Sequence, residues 1–142
     1  MTMLSQLLGS KGSDVYSIAP DASVLDAIRL MAERHIGALL VIEDGQLVGI
    51  ISERDYARKV VLKGRSSTST TVREIMSSPV VTAEPHQTVD DAMRLMTERR
   101  IRHLPVVRNG AVAGVVSIGD LVKSVIEDQR HTIEDLKSYI QG

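Results

Sequence analysis

The sequence has no cysteine, no tryptophan and no phenylalanine, and its aromatic residues are three tyrosines. Without cysteine there are no disulfides, thiolate nucleophiles or cysteine-ligated metal clusters. A formal charge of −1 and so few rings argue against a nucleic-acid-binding surface. No apolar run approaches the roughly 18 residues of a membrane span, and the start, MTMLSQLLGSKGSD, lacks a signal-peptide pattern. We therefore expect a soluble, cytoplasmic protein with an aliphatic core and no membrane or nucleic-acid partner.

The sequence contains an internal duplication. When it is shifted by 65 positions, Val15–Asp55 aligns with Val80–Asp120 without a gap, and 17 of the 41 pairs are identical. Average amino-acid usage would give about 2 or 3 identities. Several of the remaining pairs are conservative, such as Ile50 with Val115. We therefore expect two small repeats of one supersecondary unit.

Each copy carries the same predicted order of elements, β–α–β–β–α. A short β segment runs into a proline, which disfavours a helix directly before it. A hydroxyl residue with a carboxylate three positions later then predicts a helix-capping box, followed by apolar residues at helical spacing. An Asp-Gly or Asn-Gly pair between two β-rich runs predicts a hairpin. In order along the chain, these features are Val15–Ile18, Ser23 with Asp26, Leu39–Ile42, Leu47–Ile51 and Tyr56–Leu62 in copy one, and Val80–Ala83, Thr88 with Asp91, Leu104–Val107, Val112–Val116 and Leu121–Ile126 in copy two.

The segments outside the duplication complete the predicted domain organisation. A polar linker, Gly64–Thr71, leads into a short amphipathic stretch at Val72–Met76, which Met3–Leu8 mirrors before copy one. We place repeat one with its lead-in at 1–64, the linker and repeat two at 65–126, and an amphipathic C-terminal helix at 127–142. The apolar residues of that helix either pack on their own domain, which we favour, or bind a partner.

The repeated signature after each hairpin carries the candidate chemistry. It reads Gly49-Ile-Ile-Ser52-Glu-Arg-Asp55 in copy one and Gly114-Val-Val-Ser117-Ile-Gly-Asp120 in copy two. The glycine permits close approach of a ligand or another backbone. The serine, near a helix start, suits phosphate, and the aspartate suits two adjacent hydroxyls such as those of a ribose. Alternatively, both side chains only cap the helix that follows, and the two roles are compatible.

The duplicated unit, the linker and these endings resemble a tandem pair of cystathionine-β-synthase domains, usually called CBS domains. The resemblance extends from about Met3 to Ile126 and is most specific at Glu53–Tyr56, Arg100–Pro105 and Ser117–Asp120. It implies an α/β (α+β) fold, with two β-α-β-β-α repeats related by a pseudo-twofold axis, and a homodimer of such pairs. It also implies two clefts for adenosine-containing ligands (AMP, ADP, ATP, S-adenosylmethionine or NAD) and a regulatory rather than catalytic role. The sequence looks especially like the stand-alone CBS-pair proteins of bacteria, which have similar organellar relatives in plants.

The resemblance assigns residues to a first cleft. Asp120 would hold the ribose hydroxyls, Ser117 a phosphate or ribose oxygen, and Arg102 with His103 the phosphate. The adenine would lie against residues of copy one, namely Tyr16, Ser17, Ile18, Ile36, Gly37 and Ala38.

In the second cleft, Asp55 and Ser52 take the polar roles, and the adenine lies against Val81, Thr82 and Ile101. Gly37 and Ala38 occupy the positions equivalent to Arg102 and His103 and carry no charge. Phosphate binding in this cleft would need a substitute cation from the basic residues nearby, which are Arg54, Arg58, Lys59, Lys63 and Arg65. Alternatively, these residues only form a solvated helix face.

These differences predict unequal clefts. Each charge-assisted hydrogen bond contributes on the order of 1.5–3 kcal/mol, so two of them change affinity by about 10²-fold or more. We expect the Asp120 cleft to be the tighter site, suited to AMP, and the Asp55 cleft to take a weaker or different adenosine ligand.

Three classes of function compete at this stage. The first is an adenosine-ligand sensor that modulates a partner protein in trans, since the chain carries no recognisable output domain. The second is a ligand-free dimerisation or docking module. The third is an enzyme, but the sequence contains no G-x-S-x-G, P-loop, Rossmann or H-E-x-x-H motif. The four histidines lack paired ligand spacing, so we expect no metal.

Overall fold

The computed structural model describes residues 2–12 and 14–141, with the side chain of residue 141 left aside. It divides into two compact units. One consists of the described residues of Met1–Asp14 and Val81–Gly142, and the other is Val15–Val80. We call them the C unit and the N unit. In chain order the elements are α1 Leu4–Lys11, β1 Ser17–Ile18, α2 Val24–Arg34, β2 Ala38–Glu43, β3 Gln46–Ser52, α3 Glu53–Tyr56, a π-helical turn at Ala57–Val61, α4 Val72–Ile75, α5 Val89–Arg99, β4 His103–Arg108, β5 Ala111–Ser117 and α6 Ile118–Gln141.

Both predicted hairpins are present, and their geometries match. In the N unit, β2 pairs antiparallel with β3 and parallel with β1. In the C unit, β4 pairs antiparallel with β5, and Ala83 adds one parallel bridge to Val106. Asp44-Gly45 and Asn109-Gly110 turn the two hairpins with positive φ at both residues, as a type I′ turn requires. The strand predicted at Val80–Ala83 is therefore reduced to one bridge.

The two long helices also begin where the sequence predicts. Ser23 accepts a hydrogen bond from the amide of Asp26, and Thr88 accepts one from the amide of Asp91. Each helix buries its apolar face in the core of its own unit. The buried residues are Val24, Ala27 and Met31 on α2, and Val89, Ala92 and Met96 on α5.

The two short lead-in helices pack on the opposite copy from the one they precede. The amide of Leu4 on α1 donates to Gln87 O, and the amide of Val72 on α4 donates to Ala22 O, the position equivalent to Gln87. The assignment of Met3–Leu8 to copy one is therefore corrected, because Leu4, Leu7 and Leu8 belong to the core of the C unit.

The repeated glycine of each copy makes room for the lead-in. A Cβ atom on Gly114 would lie 2.6 Å from Leu8 Cδ2, and one on Gly49 would lie 2.5 Å from Met76 Sδ. Both distances are far too short for real contacts, so these glycines admit a side chain of the same protein. The sequence predicts that a ligand or another part of the protein lies close to each glycine. In the structure, the side chains of Leu8 and Met76 lie there.

The segments after the hairpins differ between the copies. In copy one, the helix predicted near Tyr56–Leu62 becomes α3 and the π-helical turn. In copy two, the predicted helix and the separate C-terminal helix are one element, α6. Ile133, Leu136 and Ile140 on α6 are 52%, 57% and 81% exposed. The expectation that this apolar stripe packs on its own domain is therefore wrong for the final turns. No helix in the described part of the chain is long and apolar enough to cross a membrane.

Candidate ligand-binding site

The signature serine and aspartate lie where a strand passes directly into a helix in each unit. In the C unit, the Ser117 amide donates to Asp120 Oδ2 at 2.8 Å, and the Asp120 amide donates to Ser117 Oγ at 3.1 Å. In the N unit, the equivalent Ser52–Asp55 bonds measure 3.0 and 3.1 Å. These reciprocal bonds form a capping box, which confirms the capping interpretation of both pairs. The cap also fixes each carboxylate at the edge of its hairpin.

Strand pairing brings the predicted cations to the Asp120 junction. His103 is the register partner of Ser117 across β4 and β5, and the Ile118 amide donates to Arg102 O at 2.9 Å. Arg102 is exposed, whereas His103, Ser117 and Asp120 are half-buried. The polar residues predicted for the first cleft therefore lie together within one unit.

Lys11 from α1 also reaches Asp120. Its ammonium nitrogen lies 2.6 Å from Asp120 Oδ2 and donates to Val115 O at 2.8 Å. Partial burial acts to raise the pKa of the Asp120 carboxyl. Hydrogen bonds from Lys11 and the Ser117 amide, together with the lysine charge, outweigh it and lower that pKa below its ordinary value. The junction therefore holds a carboxylate with an ammonium group already against it.

The Asp55 junction has the same cap, but the lysine that pairs with this aspartate lies in the π-helical turn that follows α3. Lys59 Nζ lies 3.2 Å from Asp55 Oδ1 and donates to Ile75 O at 2.8 Å. Lys59 lies one helical turn after Asp55, whereas Lys11 is 109 residues from Asp120. The two aspartates thus pair with lysines that are not at equivalent positions of the two copies.

The strand neighbours of the Asp55 junction are uncharged. Ala38 is the register partner of Ser52, and the Glu53 amide donates to Gly37 O at 3.0 Å. Among the candidate substitute cations, Lys59 contacts Asp55, whereas Arg65 pairs with Glu74 at 2.7 Å. Arg54 and Arg58 are exposed, on α3 and the π-helical turn respectively. The predicted difference in charge between the junctions is therefore present in the structure.

The residues predicted to hold adenine belong to the other unit in each case, so this part of both sites stays a prediction. Within the N unit, Tyr16, Ile18 and Ile36 pack against the core, with Ser17 exposed and Gly37 and Ala38 half-buried. Within the C unit, Val81 and Ile101 pack against the core and Thr82 is exposed. The guanidinium carbon of Arg34 lies 5.1 Å from the centre of the Tyr16 ring, within cation–π distance.

Lys11 and Arg34 are the two residues at these positions that sequence reasoning missed. Arg34 closes α2 and carries no motif of its own. Lys11 also lacks a sequence signal, because it reaches Asp120 only through the packing of α1 in the C unit. Across residues 2–12 and 14–141, no group of three or more His, Asp or Glu side chains could hold a metal ion.

Replacing Lys11 with alanine is expected to raise the pKa of Asp120 towards its ordinary value, because an ion pair and a hydrogen bond are lost. A lowered folded-state pKa stabilises the fold above the unfolded-state pKa of roughly 4 and loses that effect as the pH falls through the folded value. The variant's stability should therefore depend less on pH in this acid range. Titration of the Asp120 carboxyl by NMR, with the exposed Lys123→Ala as control, measures the shift. An unchanged Asp120 pKa in Lys11→Ala would contradict the ion pair.

Comparison with known proteins adds independent findings. The CBS domain pattern matches twice, at residues 11–62 and 72–127. The chain is 41% identical to the mitochondrial CBS domain-containing protein CBSX3 of Arabidopsis thaliana, covering 99% of this chain and 73% of that protein. It is 53% identical to a solved protein with CBS domains from Burkholderia ambifaria MC40-6, a candidate signal-transduction protein, with a TM-score of 0.86 and coverage of 90% and 96%. It is also 25% identical to a hexameric CBS-CP12 protein from bloom-forming cyanobacteria, with a TM-score of 0.78 and coverage of 98% and 88%.

Proposed function

Because the chain belongs to the CBS-domain family, as a tandem pair of CBS domains, we propose that it is a regulatory module that binds adenosine nucleotides. The observation that supports this function most directly is the duplicated Ser–Asp junction, which repeats its hydrogen bonds in both units. A carboxylate held at such a junction can accept two hydrogen bonds from neighbouring ribose hydroxyls. AMP, ADP, ATP, NAD and S-adenosylmethionine are the candidate ligands.

In this proposal the Asp120 site takes a phosphate-bearing nucleotide. Asp120 accepts the ribose hydroxyls, while Arg102 and His103 contact the phosphate from the paired strand. Lys11 occupies a carboxylate oxygen of Asp120, so a ribose shares that oxygen with the lysine or displaces it. The Asp55 site has the same ribose chemistry with Gly37 and Ala38 beside it and is the weaker of the two.

The stand-alone CBS-domain relatives indicate a regulatory module without catalysis. Regulation further requires that the ligand bind one conformation of the protein more tightly than another. We propose that this preference is transmitted in trans to a separate effector protein. CBS-pair proteins form oligomers, as the hexameric cyanobacterial relative does, and we propose a homodimer for this chain.

Thermal unfolding with a panel of adenine nucleotides tests the proposal. A ligand at 100 times its dissociation constant stabilises the fold by about 2.7 kcal/mol, which displaces the melting temperature measurably. Native mass spectrometry of the freshly purified protein reports the oligomeric state and the mass of any ligand that co-purifies. If no adenosine compound shifts the melting temperature and none co-purifies, the chain is a docking module instead. Turnover of a nucleotide would support an enzyme.

A further inference from the structure

Helix α6 carries two apolar stripes with different surroundings. Leu121 and Ser124 are buried in the C unit, and Val125 packs against its core. The second stripe is a row of exposed apolar residues, and nothing within the described part of the C unit covers it; Ile118 and Tyr139 are exposed but lie outside this row. It consists of Val122, Ile126, Ile133, Leu136 and Ile140.

The second stripe follows a heptad repeat. Ile126, Ile133 and Ile140 are seven residues apart, and so are Val122, Gln129 and Leu136. The two series alternate along the helix at spacings of four and three residues. This is the pattern of positions a and d in a coiled coil, with isoleucine at every a position from 126 onward. A seven-residue period keeps one apolar row, which we call the seam, facing a partner helix over three heptads. An isolated, solvated helix gives no physical reason for such a period.

We propose that this seam binds the same seam of a second copy of the chain, so that two α6 helices form a parallel coiled coil. β-branched isoleucine at position a with leucine at position d, as at Ile133 and Leu136, favours two parallel strands. The other d positions of this seam are Val122 and Gln129. The seam is also self-complementary, since each helix offers the other the same row of side chains. The inference concerns assembly and is independent of nucleotide binding.

Charge beside the seam selects the parallel orientation. The e positions are all basic, namely Lys123, Arg130 and Lys137. An antiparallel pair places e positions opposite e positions, so like charges would meet along the whole seam. A parallel pair places e opposite g, and the g positions Val125 and Thr132 carry no charge.

Two further features set the strength of this coiled coil. The first turns of α6 are held by the C unit through Leu121 and Val125, so the costly nucleation of an isolated helix is already complete. Gln129 places one polar layer at the middle d position. A polar layer fixes register and lowers stability, which makes the dimer reversible.

Cysteine cross-linking tests the seam cleanly because the chain has no cysteine of its own. In a parallel, in-register pair, each a position faces its own twin, at a separation that a disulfide can span. Ile133→Cys and Ile140→Cys should therefore form covalent dimers under mild oxidation. The matched control is Ser138→Cys, which lies on the opposite side of the helix and should form little covalent dimer under the same conditions, although its seam is intact. Equal cross-linking of Ser138→Cys and Ile133→Cys, or none in either seam variant, would overturn the proposal.

Sedimentation of variants that keep the helix intact gives a second measurement. Gln129→Leu should tighten the α6 pairing by about tenfold or more, because an apolar residue replaces the polar layer. Ile133→Asp should weaken the pairing, whereas His131→Asp, outside the seam, should leave it unchanged. If Gln129→Leu leaves the association constant unchanged, or His131→Asp lowers it as much as Ile133→Asp, the seam does not join two copies.

Discussion

Asp120→Ala is expected to weaken the tighter nucleotide-binding event by about 10²-fold or more, while Asp55→Ala leaves that event intact. Asp120 is proposed to accept both ribose hydroxyls, and each charge-assisted bond contributes on the order of 1.5–3 kcal/mol. At the Asp55 site the strand neighbours Gly37 and Ala38 carry no charge, so Asp55→Ala removes only the weaker binding event. Isothermal titration of both variants with AMP measures the two effects side by side. Equal losses of affinity in the two variants would contradict the asymmetry.

A conservative variant separates ligand binding from helix capping at Asp120. Its carboxylate also accepts the Ser117 amide, and loss of such a cap destabilises a protein by roughly 0.5–2 kcal/mol. Asp120→Asn keeps an oxygen for the cap but loses the charge and one acceptor. We therefore expect Asp120→Asn to retain most of the thermal stability and still bind AMP weakly. Full AMP affinity in Asp120→Asn would leave Asp120 with a capping role alone.

The elements that the sequence predicts well are those whose causes are local. The Asp44-Gly45 and Asn109-Gly110 pairs take positive φ because these residue types tolerate it, and they turn both hairpins as expected. Ser23 and Thr88 cap their helices through amides three residues away. Each of these signals and its effect lie within a few residues, so the pattern suffices without knowledge of the fold.

The features that the sequence did not predict depend on contacts between distant segments. Lys11 pairs with a carboxylate 109 residues along the chain, and the packing of α1 in the C unit, with Leu8 over Gly114, brings it there. The position of a lead-in next to copy one says nothing about the copy on which it packs. The Ser–Asp pair and the placement of Arg102 and His103 beside it could be predicted from the sequence, and their ligand-binding roles stay a prediction. The lysine that pairs with Asp120 required the tertiary structure.

The double variant Arg102→Ala with His103→Ala is expected to weaken AMP binding by about 10²-fold while leaving adenosine binding nearly unchanged. The two residues lie beside Ser117 through strand pairing and are proposed to contact the phosphate, which adenosine lacks. Loss of two charge-assisted hydrogen bonds accounts for an effect of this size. The comparison of the two ligands in one titration series isolates the phosphate contribution, because the ribose and adenine contacts are common to both.

Two controls make this result specific to the phosphate. Arg99→Ala removes an exposed cation from the end of α5 and should change neither ligand's affinity. A general effect of net charge on AMP binding would lower AMP affinity in this control as well. The reverse exchange, Gly37→Arg with Ala38→His, should give the Asp55 site a preference for AMP over adenosine. It is measured in the Asp120→Ala background, because Gly37 and Ala38 are also predicted to contact the adenine of the Asp120 site. Gly37 does not rely on a positive φ, so an arginine there avoids backbone strain. If adenosine affinity falls as far as AMP affinity in the first variant, Arg102 and His103 maintain the shape of the site and do not bind phosphate.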